Sequence, residues 1–96
     1  MSELETRTVR VRISGRVQGV WFRGWAAQTA EALGLAGWVR NRRDGTVEAL
    51  FSGEEAMIDQ MIAACHIGPS HADVEEVDVT TEPDFEETGF EQLSTV

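Results

Sequence analysis

The 96-residue sequence predicts an α+β fold with the ferredoxin-like order β-α-β-β-α-β, in which two helices cover one face of an antiparallel sheet. The main observation is a change of spacing. Apolar residues recur at every second position, then at every third and fourth, then alternate again. Glycine-rich turn signals separate these segments, and no repeat or linker interrupts them. We therefore expect a single domain over residues 1–96, with its core at about residues 7–92.

The first half of the chain predicts a strand, a helix and a hairpin. Residues 7–14 alternate between apolar and polar side chains, which indicates a half-buried strand. Residues 22–33 place their apolar side chains on one helical face, and Gly34 follows where a C-terminal cap is expected. Residues 36–41 and 45–51 are predicted as two strands, joined by the turn sequence "RRDG".

The second half predicts another helix and a fourth strand. Ser52 and Glu55 have the spacing of a capping box, so we expect the helix to begin directly after Ser52. The Gly-Pro pair at 68–69 should end it. Residues 73–80 are predicted as a strand in which Val74 is out of phase, which indicates a β-bulge or a late start. A short last strand is predicted near "GFEQL".

The charge of the chain is divided unevenly between its two halves. The net charge is −9, yet residues 1–43 contain all eight arginines and carry +5, whereas residues 44–96 carry −14. Because nucleic-acid binding needs a broad basic surface, we expect no nucleic-acid partner. No apolar run is long enough to cross a membrane, and the N-terminal segment has no apolar secretory core. We therefore expect no membrane association, a cytoplasmic location and, from the acidic repulsion, a monomer.

The single cysteine, Cys65, is predicted to be a small buried residue on the second helix. It cannot form an intramolecular disulfide, which fits a reducing compartment. The adjacent His66 should point away from it, because neighbouring residues on a helix do not face each other. The spacing of Cys65, His66 and His71 matches no recognised zinc motif, so a metal site at these residues stays open but only weakly indicated. No pattern in the sequence indicates a cofactor, and we expect none.

The segment "SGRVQGVWFR" joins the first strand to the first helix and has the composition of an anion site. Gly15 and Gly19 allow the main chain to turn successive N–H groups inward, and the helix adds the positive end of its dipole. Arg23 opposes that dipole in the first helical turn, so a bound anion would explain its presence. The pattern alone leaves a purely structural turn with a surface arginine equally open, because short glycine loops are common.

Asn41 ends the second predicted strand, immediately before the hairpin turn. On the pattern alone, an asparagine at such a position is more often a turn residue. Its carboxamide is also able to accept one hydrogen bond and donate another, which would orient a water molecule. Arg42, the next residue, is interpreted as solvated.

Two segments together resemble the signatures of the acylphosphatase family. "GRVQGVWFR", residues 15–23, is similar to the first signature, and "GWVRNRRDGTVE", residues 37–48, is similar to the second. The resemblance implies a metal-independent enzyme that hydrolyses the carboxyl-phosphate bond of small acyl phosphates. It implies that Arg23 binds the phosphate and that Asn41 orients the attacking water. It further implies that backbone N–H groups of the loop bind the phosphate, namely those of Gly15, Arg16, Val17, Gln18, Gly19 and Val20.

Two alternatives and one departure accompany this resemblance. The C-terminal "GFEQLSTV" lacks the basic-aromatic ending common in the family, which leaves the register of the last strand open. A non-catalytic module of the same fold that binds acyl phosphates or other anions is the main alternative. Arg23 together with Asn41 disfavours it, because a binding module does not need a water-orienting amide. An RNA-recognition-type domain would need exposed aromatic residues on a basic sheet, and the first strand has none.

Overall fold

The computed structural model of the protein describes residues 5–96, and it confirms the predicted order of elements. The elements are β1 (Thr6–Arg16), α1 (Phe22–Ala32), β2 (Ala36–Asn41), β3 (Val47–Glu54), α2 (Glu55–Ile67), β4 (Asp73–Thr81) and β5 (Phe90–Gln92). The five strands form one sheet in the order β4-β1-β3-β2-β5. This is the ferredoxin-like α+β arrangement that the periodicity predicts.

The sheet is antiparallel except at one edge. β1 pairs antiparallel with β3 and β4, and β2 pairs antiparallel with β3, whereas β5 runs parallel to β2. The direction of β5 follows from the connection that precedes it. Because β4 runs antiparallel to β1, the chain leaves β4 at the end of the sheet where β1 and β2 begin. β5 starts from this end and therefore runs in the direction of β2.

The core lies between one face of the sheet and both helices. Val9, Val11 and Ile13 of β1 alternate onto this face and are fully buried. The same buried cluster contains residues of both helices, among them Phe22, Ala26 and Ala30 of α1 and Ile58, Met61 and Cys65 of α2. Complete burial of one large aliphatic side chain stabilises the folded state by about 1.5–3 kcal/mol, so this layer supplies the main driving force.

The capping box predicted at Ser52 and Glu55 is wrong. Ser52 lies in β3, and its hydroxyl is 2.7 Å from the hydroxyl of Thr8 in β1. The helix starts at Glu55 after Glu54, without a side-chain cap, and the Glu55 N–H donates to the carbonyl of Glu5 at 2.8 Å. The ladder between β1 and β3 continues to Glu54, so strand pairing takes the residues that the local motif assigns to a cap.

The bulge predicted from Val74 is confirmed. The register of β1 against β4 shifts between Ser14 and Gly15, so that Glu75 is the extra residue of β4. Gly15 has φ 117°, and a Cβ there would collide with the main chain of Asp73 and Glu75. The close approach of two strands therefore requires glycine at this position.

The turn signals act as predicted, and they bring several segments to one end of the sheet. Gly34 follows α1 with φ 72°, Gly45 takes φ 94° in the hairpin turn, and Gly68 ends α2 with φ 71°. β1 and β2 run in the same direction with β3 between them. The carboxyl ends of β1 and β2 therefore lie at the same end of the sheet as the start of α1 and the hairpin turn. No helix in residues 5–96 is long and apolar enough to cross a membrane.

Candidate active site

A small pocket lies at the end of the sheet where β1 and β2 reach their carboxyl ends. Its volume is about 130 Å³. The lining consists of Val17, Gln18 and Gly19 from the loop, residues 21–24 at the start of α1, Asn41 from β2 and Gln92 from β5. The fold therefore brings the two motif segments together, and both Arg23 and Asn41 line the same pocket.

Among the described residues, Arg23 is the only charged side chain in the lining, and no carboxylate of residues 5–96 accompanies it there. It is half-buried, and it forms no ion pair with any residue between 5 and 96. A guanidinium presents its N–H donors in a planar fork that matches the oxygens of a phosphate or carboxylate. The pocket thus carries one positive charge that is available to an anion.

Backbone donors border the same pocket. Within residues 5–96, the N–H groups of residues 18–21 have no acceptor in the protein. The first N–H after them that has one is that of Trp25, which donates to the Trp21 carbonyl at 3.0 Å. No side chain in the described part of the chain caps the N-terminus of α1. Uncapped N–H groups and the positive end of the helix dipole both favour a negative ligand.

The side chain of Gln18 joins the loop to the hairpin. Its amide nitrogen donates to the carbonyl of Arg42 and to the carbonyl of Thr46, each at 2.8 Å. The two carbonyls flank the turn that follows Asn41, so these bonds set the position of the loop relative to β2. The sequence prediction assigns only the backbone of Gln18 to the site, and it misses this positioning function. A glutamine between two loop glycines is the one signal that could have indicated it.

Asn41 is held by its main chain and has an unengaged side chain. It pairs with Val47 of β3, and its carbonyl accepts a hydrogen bond from the N–H of Val96 at 3.1 Å. The half-buried carboxamide forms no hydrogen bond with another residue in the described part of the chain. Its donor and its acceptor are therefore both available inside the pocket.

The C-terminal segment follows β2 toward the pocket, and this settles the register of the last strand. Gln92 lies opposite Val39, and Leu93 N–H donates to the Val39 carbonyl at 2.8 Å. Gln92 thereby reaches the lining of the pocket, which the sequence did not indicate.

The remaining loop residues named from the sequence lie around the pocket rather than in its lining. Gly15 and Arg16 belong to β1 and pair with Val74 and Asp73 of β4. Val20 is half-buried and packs against the hydrophobic core. Their main chain shapes the approach of the loop to the pocket.

Arg42 is not simply solvated, in contrast to the expectation. Its Nη1 atom donates to Glu48 at 2.9 Å, as does Nε of Arg40 at 2.9 Å. Glu48 is 2% exposed. Burial alone would raise the pKa of this carboxyl, but the hydrogen bonds from Arg40 and Arg42 and the two positive charges outweigh it, so its pKa is lower than usual. Arg42 therefore belongs to an ion-pair cluster and not to the mouth of the pocket.

The family model for acylphosphatases matches residues 9–92. The chain belongs to the acylphosphatase family. This confirms the family resemblance, the fold class and the enzyme class expected from the two signatures.

Individual relatives and solved structures agree with this assignment. A curated acylphosphatase of Rhodospirillum rubrum is 57% identical over 86 residues, which cover 90% of this chain and 94% of that protein. The structure of an acylphosphatase from Coxiella burnetii superposes with a TM-score of 0.91 at 32% identity and covers 97% of this chain and 100% of that one. Full-length HypF, solved in a phosphate- and nucleotide-bound form, matches 98% of this chain with 13% of its own length, at a TM-score of 0.89 and 27% identity.

The cysteine and the histidines of this acylphosphatase-family chain lie outside the pocket. Cys65 is fully buried, and desolvation raises the pKa of its thiol to about 12, so the thiol stays protonated and unreactive. His66 and His71 are exposed and do not line the pocket. Among residues 5–96, no group of three His, Cys, Asp or Glu residues has the geometry to hold a metal ion.

Proposed function

We propose that this chain hydrolyses the carboxyl-phosphate bond of small acyl phosphates, without a metal, to give a carboxylate and inorganic phosphate. The observation that carries the proposal is the pocket itself. It combines one uncompensated guanidinium, that of Arg23, with the free carboxamide of Asn41 in a space that admits only a few small groups.

In this proposal, Arg23 and the loop bind the phosphoryl group. The guanidinium donates to two phosphoryl oxygens, and the free backbone N–H groups of residues 18–21, together with the first turn of α1, surround the third. Gly15 and Arg16 contribute by directing the main chain into the loop. Gln18 holds this cradle at a fixed distance from Asn41 through its two hydrogen bonds to the hairpin. Such positioning is the main source of catalysis when a site offers no strong acid or base.

Asn41 orients the attacking water. The oxygen of its side-chain carboxamide accepts a hydrogen bond from the water, which directs a lone pair of the water toward the phosphorus. As the new P–O bond forms, the bond between phosphorus and the acyl oxygen breaks, and the electron pair leaves with the carboxylate. A carboxylate leaves without being protonated, so no general acid is required. Phosphoryl transfer proceeds through a loose transition state, so the water is deprotonated late, by the phosphate product or solvent.

A non-catalytic anion-binding module is the second candidate, because full-length HypF, a larger protein solved with phosphate and nucleotide bound, contains a segment with the same fold. Such a module would use Arg23 and the loop in the same way. It would have no use for the unengaged carboxamide of Asn41, which supports the catalytic function for this chain.

The test is the hydrolysis of benzoyl phosphate by the purified chain in the presence of a metal chelator. We expect benzoate and inorganic phosphate to appear in equal amounts, at a rate that the chelator does not change. Loss of turnover in chelator would contradict the metal-independent mechanism. Absence of turnover with inorganic phosphate still bound, measured by calorimetry, would favour the binding module.

We further propose that residues 1–96 act as one domain, as a monomer, in the cytoplasm. The net charge of −9 supports the monomer through mutual repulsion, and the single buried cysteine fits a reducing compartment. Light scattering of the purified chain at increasing concentration tests the monomer, because a mass that rises with concentration would contradict it.

A further inference from the structure

Trp21 is the residue of the pocket that phosphate binding and water positioning leave unexplained. It lines the pocket, and it is 59% exposed. Among residues 5–96, it is also the only residue other than glycine with a positive φ, at φ 68° and ψ 27°. Glycine adopts this conformation without strain, whereas a bulky side chain does not. The backbone conformation at position 21 therefore favours glycine, yet the residue is tryptophan.

Gly24, one helical turn further, is matched to the indole of Trp21. A Cβ atom at Gly24 would collide with the Nε1, Cε2 and Cδ1 atoms of that indole. The backbone of Gly24 is ordinary α-helix, so its conformation does not require glycine, and glycine weakens a helix relative to alanine. Trp21 and Gly24 are each locally unfavourable, and together they fix the position of the indole beside Arg23.

The size of the pocket determines where the rest of the substrate lies. A volume of about 130 Å³ is well below the range of about 300–1,000 Å³ typical of sites that enclose a whole small molecule. It accommodates a phosphoryl group and a water, so the acyl group must extend across the rim. The exposed residues of the lining are Gly19, Trp21 and Gln92. Of these three described residues, Trp21 alone has an apolar side chain. The two other large apolar residues of the lining, Val17 and Phe22, are buried in the core.

We propose that Trp21 forms the acyl-group subsite and that the enzyme favours acyl phosphates with an aromatic or otherwise flat, apolar acyl group over those with a small group such as acetyl. This inference rests on the proposed function. A ring of the substrate that packs against the indole removes apolar surface of both from water, and the two rings also attract each other through their edges and faces. An acetyl group offers too little surface for either effect.

The experiment compares kcat/KM for benzoyl phosphate and acetyl phosphate in the wild type and in Trp21→Gly. We expect the ratio of the two values to fall by about two- to tenfold in the variant, which is the range that one aromatic pair provides. The value for benzoyl phosphate should fall by more than the value for acetyl phosphate, because the variant removes the contact with the acyl group and keeps the backbone N–H of residue 21. Val79→Ala, which removes exposed apolar surface from β4, is the matched control and should leave the ratio unchanged.

A second variant moves the indole without removing it. In Gly24→Ala the new Cβ displaces the Trp21 ring, so we expect the same ratio to fall, while the alanine strengthens the helix. If the wild type hydrolyses neither substrate, the proposed function fails and this inference fails with it. If the wild type hydrolyses both and Trp21→Gly leaves the ratio unchanged, or lowers both values equally, only the acyl-group subsite is overturned. Thermal unfolding of each variant verifies that it is folded.

Discussion

The pocket at the end of β1 and the open face of the sheet both contain arginine, but they differ in the carboxylates around it. On the open face, Arg10, Arg40 and Arg42 all donate to the buried Glu48, at 3.5, 2.9 and 2.9 Å. Strand register brings these side chains together, because Glu48 lies opposite Arg40 of β2, and Arg10 is on the same face of β1 as Arg12, the residue opposite Glu48. In the pocket, no carboxylate of residues 5–96 lies beside Arg23 in the lining.

The difference shows that neither the number of arginines nor the size of a cavity identifies the anion site. The cavity over the open face has a volume of about 410 Å³, roughly three times that of the pocket. Its lining contains Glu48 and Asp78 beside Arg10 and Arg12. An anion bound there would have to compete with these carboxylates. In the pocket an anion meets an uncompensated charge and free backbone donors, so the smaller space is the better site.

The largest effect is expected from Arg23→Ala, which removes the charge that distinguishes the pocket. We expect kcat/KM for benzoyl phosphate to fall by at least about 10³-fold, together with a marked loss of phosphate inhibition, since the guanidinium stabilises both bound phosphate and transition state. Arg12→Ala is the matched control, because it removes the same charge from the open face, where Arg12 lies 3.9 Å from Asp44. A similar loss in both variants would show that net charge, and not the pocket, attracts the substrate.

Asn41→Ala separates turnover from binding within the pocket. We expect kcat to fall by about 10²- to 10³-fold, because the water loses its orientation, while the inhibition constant of inorganic phosphate changes by no more than about threefold. Asn41→Asp provides the contrast. It keeps the shape but adds the carboxylate that the pocket otherwise lacks, so phosphate inhibition should weaken as well. Equal loss of phosphate binding in Asn41→Ala and Arg23→Ala would contradict the proposed division of functions.

Gln18→Ala tests whether the pocket depends on its connection to the hairpin. Loss of the two hydrogen bonds should lower the free energy of unfolding by about 1–2 kcal/mol and kcat by about tenfold, because the loop and Asn41 are no longer held in register. Gln18→Glu should be at least as damaging, since a carboxylate cannot donate to the Arg42 and Thr46 carbonyls. Unfolding in urea and steady-state kinetics provide the two measurements. An unchanged kcat in both variants would remove the positioning function from Gln18.

Glu48→Gln should affect stability more than catalysis, because Glu48 belongs to the ion-pair cluster on the open face and not to the pocket. The carboxylate is buried and accepts hydrogen bonds from three arginines, so its loss should lower the free energy of unfolding by about 2 kcal/mol at about pH 7. Activity should remain within about threefold of the wild type, because Glu48 does not line the pocket. A loss of activity as large as that of Arg23→Ala would end the distinction between the two regions.

The difference in stability between the wild type and Glu48→Gln should depend on pH. The pKa of Glu48 is lower in the folded chain than in the unfolded chain, despite burial, because Arg40 and Arg42 donate to it. Its contribution to stability is therefore complete above the unfolded-state pKa and is lost as the pH falls through the folded-state pKa. Urea unfolding from about pH 7 to about pH 3 should show the wild type approaching Glu48→Gln in stability. A constant difference over this range would mean that Glu48 does not titrate as proposed.

Much of the fold was predictable from the sequence because its signals are local. The alternation of Val9, Val11 and Ile13 determines which face of β1 is buried, and the helical spacing of Phe22, Ala26 and Ala30 does the same for α1. The one local signal that was misleading, the capping box at Ser52, was overridden by pairing with β1. A capping box contributes about 1 kcal/mol, whereas continuing the ladder satisfies several backbone groups at once.

The sequence by itself determined the order of elements, the turns at Gly45 and Gly68, the bulge opposite Gly15 and the two segments that meet in the pocket. Each of these depends on periodicity or backbone conformation over a few residues. Only the tertiary structure decided that β5 runs parallel to β2 and that Arg42 pairs with Glu48, while Arg23 forms no ion pair within residues 5–96. It also decided that Gln18 bonds to carbonyls 24 and 28 residues further along the chain, in the hairpin. Contacts of that kind depend on strand register, because a shift of one residue moves every side chain of a strand to the opposite face.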